Sequence, residues 1–289
     1  MKLVGLVVEI KYDIYHVEAD DRLFLCKQKG ILKFNKDEIL VGDKVEFDSI
    51  DLIIEKKFER TNQFVRPRIA NVNQALIIVS IIEPDLSFYL LTKYLITLEA
   101  QNVRDIIICL TKTDLINKQD KKYQEIICQL KQDKYLVIDT NNVNDLKLLE
   151  EKFKNKTSFL IGQTGVGKST LINKIIQDAN LKTQEISRAL NRGKHTTTIV
   201  KLIKFLDGYI ADTPGFSSFE LNLTKFEKAK SFHDFDQYAT KCKFFNCLHI
   251  NEKDCCVRKM YEENKISKWR YENYLRILNE DNNNGKKTK

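Results

Sequence analysis

Gly162-Gln163-Thr164-Gly165-Val166-Gly167-Lys168-Ser169 follows an apolar run, Ser158 to Ile161, and leads into a helical pattern that opens at Ser169. The octapeptide fits G-x-x-x-x-G-K-[ST], and its place between strand and helix is the context that pattern requires. Glycines let backbone N–H groups wrap phosphate oxygens, and the positive end of the helix adds to the attraction. In such a cradle, running from Gly162 to Thr170, Lys168 reaches β- and γ-phosphates and Ser169 binds Mg²⁺. A glycine-rich strand-to-helix turn without a ligand has similar composition, but the flanking elements favour the cradle.

Upstream, from Ala75, buried strand patterns alternate with amphipathic helices. Leu86, Leu90, Leu91, Tyr94, Leu95 and Leu98 share one helical face, and strand-like runs follow at Asp105 to Leu110 and Tyr135 to Ile138. This alternation predicts an α/β fold. Downstream, Ile199 to Leu206 and Tyr209 to Ala211 flank Asp207-Gly208, a two-residue hairpin signal. Residues 1–65 carry short β-like runs, Leu3 to Ile10, Leu23 to Cys26, Lys44 to Asp48 and Leu52 to Ile54, with a Gly42-Asp43 turn signal. They predict a small antiparallel barrel that ends near Arg66-Pro67-Arg68, since proline disfavours helix in the preceding residue. The last stretch reads as helical apart from a cysteine cluster, with a final helix from about Ile266 to Glu280 and an unstructured tail from Asn282 to Lys289. The expected domains are therefore 1–66, 67–222 and 223–289.

The chain has 289 residues, 43% of them hydrophobic, enough to bury a sizeable core. Its longest apolar run, Ala75 to Ile82, stops at Glu83, far short of the roughly 20 residues of a membrane helix. Met1 to Lys11 carries no cleavable signal pattern, so a cytoplasmic location without membrane contact is expected. A net charge of +8 permits an acidic partner such as RNA. The abundance of lysine, asparagine and isoleucine also fits a nucleotide-biased genome, so global basicity does not argue for nucleic acid.

A phosphate cradle cannot choose its base. Thr111-Lys112-Thr113-Asp114, directly after a predicted strand, makes that choice, because a carboxylate can accept from guanine N1–H and the exocyclic amine whereas adenine offers no such donor pair. Asp114 is thus the expected guanine reader, with the Lys112 stem packed along the base. Asp212-Thr213-Pro214-Gly215 follows the hairpin, where Asp212 can hold Mg²⁺ through water and the Gly215 N–H can reach a γ-phosphate. Arg192 to Thr198 is too polar for core, and Thr197 is the candidate to complete the Mg²⁺ shell; a solvated loop is the plainer alternative.

Seven cysteines are unevenly spread. Cys242-x4-Cys247-x-His249-x5-Cys255 supplies three thiolates and an imidazole, a set suited to tetrahedral structural zinc with no position left open for catalysis. The spacing is less stereotyped than paired C-x-x-C knuckles, so buried free thiols remain the alternative.

In ordinary small GTPases the phosphate loop comes first and the guanine reader late; here Asp114 precedes Lys168. In this order the chain resembles the circularly permuted GTPases, and with its flanking parts the RsgA family of ribosome small subunit-dependent GTPases. The match rests on Gly42-Asp43-Lys44-Val45, Arg66 to Val72, Leu110 to Asp114, the phosphate loop, Arg192 to Thr198, Asp212 to Phe219 and the cysteine cluster. The resemblance implies an N-terminal OB barrel, a permuted P-loop GTPase and a helical zinc domain. It further implies GTP/GDP, Mg²⁺ and one structural Zn²⁺, with Cys242, Cys247, His249 and Cys255 as ligands and Cys256 as a neighbour. The expected partner is the small (30S) ribosomal subunit and its rRNA, late in maturation at the 16S decoding region, and a monomer is expected.

Two departures stand out. Thr111 replaces a common asparagine, which the family accepts, and Asp139-Thr140 stands where a serine-containing base loop is usual, leaving the base-loop contacts open. Phe216 occupies the position where many GTPases keep a water-orienting glutamine, and phenylalanine cannot position water. Slow intrinsic hydrolysis is therefore expected, with His195 as catalytic candidate by its chemistry and by resemblance to the family's switch histidine. A surface loop histidine remains the alternative. Two rivals to the whole reading are a nucleotide-gated rRNA-binding regulator with little turnover and an ATP-driven P-loop enzyme; Asp114 argues against the second.

Binding surfaces stay open in the sequence. The barrel face fits RNA or simple packing. Lys268, Arg270, Tyr271, Tyr274 and Arg276 fit an rRNA surface or an amphipathic helix with its aromatics in the core.

Overall fold

The computed structural model describes residues 1–30, 38–65, 67–178, 200–212 and 223–284, with backbone alone at 177–178, 212 and 281–284. Five strands at the N-terminus, β1 (Lys2–Lys11), β2 (Ile14–Ala19), β3 (Arg22–Gln28), β4 (Lys44–Asp48) and β5 (Ile53–Lys57), close on themselves. Alternation aims Tyr15, Val17, Val45 and Phe47 inward, where they meet Val7, Cys26 and Ile54. Strand β2 escapes the sequence reading because His16 and Glu18 break its apolar run, yet both are the outward members of a half-buried strand.

The barrel is not wholly antiparallel. Strands β3 and β5 pair in parallel, while β1–β2, β2–β3, β1–β4 and β4–β5 are antiparallel. A ring with an odd number of strands cannot alternate direction all the way round, so one seam must be parallel. Strand β1 serves both neighbours by a bulge between Val7 and Glu9, its first half on β4 and its second on β2.

The Gly42-Asp43 turn ties the barrel to the next segment. The Asp43 carboxylate is fully buried and accepts Arg60 Nε and Nη2, both at 2.7 Å, and the Leu40 N–H at 2.7 Å. Asn71 Nδ2 donates to the Gly42 carbonyl at 2.8 Å. Between them β6 (Gln63–Phe64) and β7 (Ile69–Ala70) form a short antiparallel pair.

The following strands and helices are β8 (Gln74–Ser80), α1 (Phe88–Ala100), β9 (Asp105–Thr111), α2 (Lys121–Lys131), β10 (Leu136–Asp139), α3 (Val143–Lys152), β11 (Thr157–Ile161), α4 (Lys168–Asp178), β12 (Lys201–Phe205) and β13 (Gly208–Asp212). The strand order is β10-β9-β8-β11-β13-β12, parallel except for β12. Period-two alternation sorts the core into two layers: Ala75, Ile77 and Val79 pack with α1 and α2, whereas Leu76 and Ile78 pack with α3 and α4. Strand β12 meets β1 at Lys201 opposite Glu9, so barrel and sheet share one hydrogen-bonded ribbon.

The hairpin sits one residue earlier than expected. Phe205 pairs with Gly208, so Leu206 and Asp207 are the turn residues, with Leu206 at φ 51°. Gly208 answers to packing instead: a Cβ there would lie 2.2 Å from the Phe153 carbonyl oxygen and 2.6 Å from that of Lys156.

The C-terminal unit holds α5 (Lys225–Ser231), α6 (His233–Ala239), α7 (Cys256–Glu262) and α8 (Lys268–Asn284). Helix α8 runs through Asn284, so the expected unstructured tail does not begin at Asn282. Contacts near its end help to hold it, since Glu280 accepts from Tyr89 and pairs with Lys93 at 2.8 Å. The rRNA-surface reading of α8 fails for three of its five residues: Arg270, Tyr271 and Tyr274 are buried. Arg276 lies 3.9 Å from the Tyr89 ring centroid, and Lys268 is exposed beside Glu272. None of the described helices is long and apolar enough to cross a membrane.

Candidate functional site

Strands β8, β9 and β11 run in one direction, so the loops after β9 and β11 emerge at the same edge of the sheet. Helices α1 and α2 cover one face and α3 and α4 the other, which makes β8/β11 the switch point where such sheets form a crevice. Thr111 and Val166, 55 positions apart, meet there: Thr111 Oγ1 donates to the Val166 carbonyl at 2.6 Å, with the Val79 carbonyl at 3.2 Å. The hydroxyl clasps the base-motif loop to the phosphate loop, and Thr111 is itself buried.

The phosphate loop has the shape its glycines predict. Gly162 adopts φ 156°, and a Cβ there would sit 2.3 Å from the Ile78 carbonyl oxygen; Gly165 adopts φ 84°. Val166 is buried in the α3–α4 layer, and Thr164 and Thr170 are exposed. Helix α4 starts at Lys168, so its free N–H groups face the loop. Lys168 Nζ donates to the carbonyls of Gly162 at 2.6 Å and Gln163 at 2.7 Å, folded over the loop with its charge at the mouth. Burial lowers its pKa, a cost that a phosphate anion beside it would offset. Curled backbone, helix terminus and lysine together fit an anion with several oxygens.

At the base end, Lys112 takes a left-handed conformation, φ 57°, that turns the chain into a short 3-10 helix, Thr113–Leu115. Its ammonium donates to the Glu83 carbonyl. Asp114 is exposed at the mouth. Thr113 is buried, and its hydroxyl donates to Asp139 Oδ1 at 2.5 Å. Asp139 also receives Lys118 Nζ at 2.9 Å and the Asn141 N–H at 3.0 Å. Burial works against ionisation of Asp139, but the bonds from Thr113, Lys118 and Asn141 outweigh it and lower its pKa.

The sequence reading missed Asn141 and Lys174. Asn141 Nδ2 donates to Asp114 Oδ1 at 2.8 Å, and Lys174 Nζ donates to Asn141 Oδ1 at 2.6 Å. No motif marks either residue; the only signal was the unusual Asp139-Thr140 beside them. His195, Thr197 and Gly215 lie outside the described residues, as do Arg192 to Thr198 generally. Asp212 ends β13, which runs parallel to β11, and so arrives at the same edge.

About the cysteine cluster the sequence pattern and the fold agree. Ligand atoms of Cys242, Cys247, His249 and Cys255 lie within 4.8 Å of one another. The sulfurs of Cys242 and Cys255 are 4.0 Å apart, and His249 Nδ1 is 3.6 Å and 3.5 Å from them. A tetrahedral ion with Zn–S near 2.3 Å needs sulfurs about 3.8 Å apart, so the donor set fits. Tyr271 and Tyr274 hold the loop through hydroxyl bonds to the carbonyls of His249 at 2.7 Å and Leu248 at 2.5 Å. Burial pushes the Cys247 thiol up to about 12, so a cation is what would make it a thiolate.

A family model described as RsgA GTPase matches residues 57–222. A protein of Ureaplasma urealyticum serovar 10 named Small ribosomal subunit biogenesis GTPase RsgA is 45% identical over 283 residues, 96% of this chain and 93% of its own. One of the same name from Malacoplasma penetrans is 49% identical over 247 residues, 84% of this chain and 86% of its own. Among solved structures, YjeQ from Thermotoga maritima superposes with a TM-score of 0.81 at 29% identity, covering 97% of this chain and 98% of its own. YloQ, described as a circularly permuted GTPase, gives 0.80 at 29%, covering 98% and 96%.

Proposed function

This chain belongs to the RsgA GTPase family, and from that premise we propose that it hydrolyses GTP to GDP and phosphate in the maturation of the small ribosomal subunit. The observation that carries the nucleotide reading is the clasp between Thr111 and Val166, which brings a guanine-type loop and a phosphate loop of reversed order into one crevice.

The residue roles follow from chemistry. Asp114 accepts from guanine N1–H and the exocyclic amine, and the Lys112 stem lies along the base. Backbone N–H groups from Gly162 to Thr170 bind the phosphates, and Lys168 spans β and γ. Ser169 and Thr197 would hold Mg²⁺, with Asp212 supporting it through water, and Gly215 would reach the γ-phosphate. Bound there, Mg²⁺ would supply charge neutralisation at the phosphate oxygens. Water attacks the γ-phosphorus, the bond to the β-phosphate oxygen breaks and GDP leaves. His195 orients that water when the partner is bound.

Cys242, Cys247, His249 and Cys255 would hold zinc as a structural ion. The small subunit and its rRNA are the partner, the cytoplasm is the site of action, and the working units are 1–66, 67–222 and 223–289. The test is GTP hydrolysis with and without small ribosomal subunits, with large subunits as control. Stimulation by small subunits alone is expected; equal rates in all three would overturn the ribosomal role. His195→Ala is expected to lose most of the stimulated rate while keeping nucleotide affinity, and full stimulated turnover would remove His195 from the mechanism.

A further inference from the structure

A carboxylate reads guanine well only when both oxygens lie in the plane of the base, because N1–H and the exocyclic amine offer two parallel donors. Asp114 sits on an exposed 3-10 turn, and the outer torsion of an aspartate is broad. Something must hold it. In this chain Asp139-Thr140 stands where a serine-containing base loop is usual, and the Asp139 carboxylate, its pKa lowered, has no proton to donate to a second one. Thr140 is buried, and its carbonyl accepts Lys174 Nζ at 3.3 Å.

We propose that Asn141 is the positioning residue for the guanine-reading carboxylate, and that Lys174 on the helix after the phosphate loop fixes Asn141 in turn. Asn141 Nδ2 donates to Asp114 Oδ1 at 2.8 Å and to Thr113 Oγ1 at 2.9 Å. Among the described residues it is the one side chain that hydrogen-bonds to Asp114. Its Oδ1 accepts Lys174 Nζ at 2.6 Å.

The amide can face only one way. Flipped, its oxygen would oppose the Asp114 carboxylate and its NH₂ would oppose an ammonium. Each bond in the chain has consistent polarity, from Lys174 to Asn141, from Asn141 to Asp114 and Thr113, and from Thr113 to Asp139. Asp114 Oδ1 keeps a lone pair for the base, since an ionised carboxylate has about four acceptor sites. Together with Thr111 on Val166, the relay ties the base-motif segment to the phosphate loop at one point and to the helix after it at another.

This inference rests on the guanine reading above and concerns how that reading is made selective. The experiment measures dissociation constants of GDP and IDP, whose hypoxanthine lacks the exocyclic amine, for the full-length protein and for Asn141→Ala, Asn141→Asp and Lys174→Met. The wild type is expected to prefer GDP. A displaced Asp114 loses two bonds to guanine and one to hypoxanthine, so Asn141→Ala is expected to reduce the GDP/IDP preference by about tenfold or more, the worth of one charged hydrogen bond. Asn141→Asp, isosteric but repelling Asp114, is expected to reduce it further, and Lys174→Met to reduce it less than Asn141→Ala.

A purely structural role would weaken both nucleotides equally. An unchanged preference in Asn141→Ala, with or without a common loss of affinity, would overturn the assignment of Asn141. An unchanged preference in Lys174→Met would remove Lys174. A wild type that binds GDP no better than IDP and ADP would instead overturn the guanine reading, and this inference with it.

Discussion

Asp114 carries specificity at the level of hydrogen-bond parity. Changing it to asparagine puts a donor where a carboxylate oxygen stood, and xanthine carries a carbonyl where guanine carries its amine. Asp114→Asn is therefore expected to lose GTP affinity by about 10- to 100-fold and to gain xanthosine triphosphate binding in competition titrations. Retained preference for GTP would mean that another group reads the base. Asp133 offers a second test. Burial, chiefly, pushes its carboxyl up to about 6, with Asp234 adding to the rise while Ser267 and Arg270 oppose it. A raised folded pKa means that the native state holds the proton more tightly than the unfolded chain, so this group's stabilisation is present below about pH 4 and is lost as pH rises through about 6. Discounted for partial exposure, Asp133→Asn is expected to flatten the pH dependence by about 1–2 kcal/mol across that window, read by urea denaturation at several pH values. A variant profile parallel to the wild type would refute it.

At the scale of elements, helix α1 shows how one segment takes two faces. Leu91, Tyr94, Leu95 and Leu98 pack on the sheet as the period predicts, but Ile96 packs in the C-terminal core and Glu99 is buried against Arg270. The cysteine–histidine loop is likewise an element built from without: α6 and α8 frame it, with Phe235 edge-on to His249 at 5.6 Å and Tyr271 bonded to the His249 carbonyl. Without an ion the cluster would be three thiols and a histidine facing one another, in a unit whose helices α5, α6 and α7 have seven residues each and cannot persist alone. One zinc per chain is expected by elemental analysis of protein purified without chelator. Strong chelators are expected to expose the C-terminal unit to proteolysis, and Cys242→Ser to do so without them. Absence of zinc from intact, protease-resistant protein would refute the assignment.

At the scale of the molecule, the barrel, the sheet and the C-terminal unit are joined by two quite different seams. Barrel and sheet share backbone hydrogen bonds through β1 and β12. The C-terminal unit is joined through side chains: Arg270 Nη2 bonds both oxygens of Glu99 at 2.9 and 3.0 Å, and its Nε bonds Asp234 at 2.6 Å. Its guanidinium also lies 4.6 Å from the Phe232 ring centroid. A buried charge that loses its partner is costly, so Arg270→Ala is expected to destabilise by about 3–5 kcal/mol in denaturant titrations. Replacing Glu99, Asp234 and Arg270 together by apolar residues is expected to cost less than that single change. A loss below about 1 kcal/mol for Arg270→Ala would show that the seam is held elsewhere.

The sequence by itself determined the phosphate loop, the guanine-type loop, the order in which they come, the clustering of cysteines around His249 and the alternation of strand and helix, because each is fixed by neighbours in the chain: glycines at set spacing, a run's period, thiols close in sequence. It placed most strands to within a few residues but missed β2, set the hairpin turn one residue late at Asp207-Gly208 and left α8 undecided between surface and core. Only the tertiary structure decided those. Leu206 takes the turn and Gly208 is needed where two backbones meet; Tyr271, Tyr274 and Arg270 turn inward because Glu99, Asp234 and the cysteine–histidine loop wait there. Asn141 and Lys174 carry no motif of their own, since a side chain that orients another is recognised by distance and hydrogen-bond polarity, and both exist only once β9, β10 and α4 have packed together.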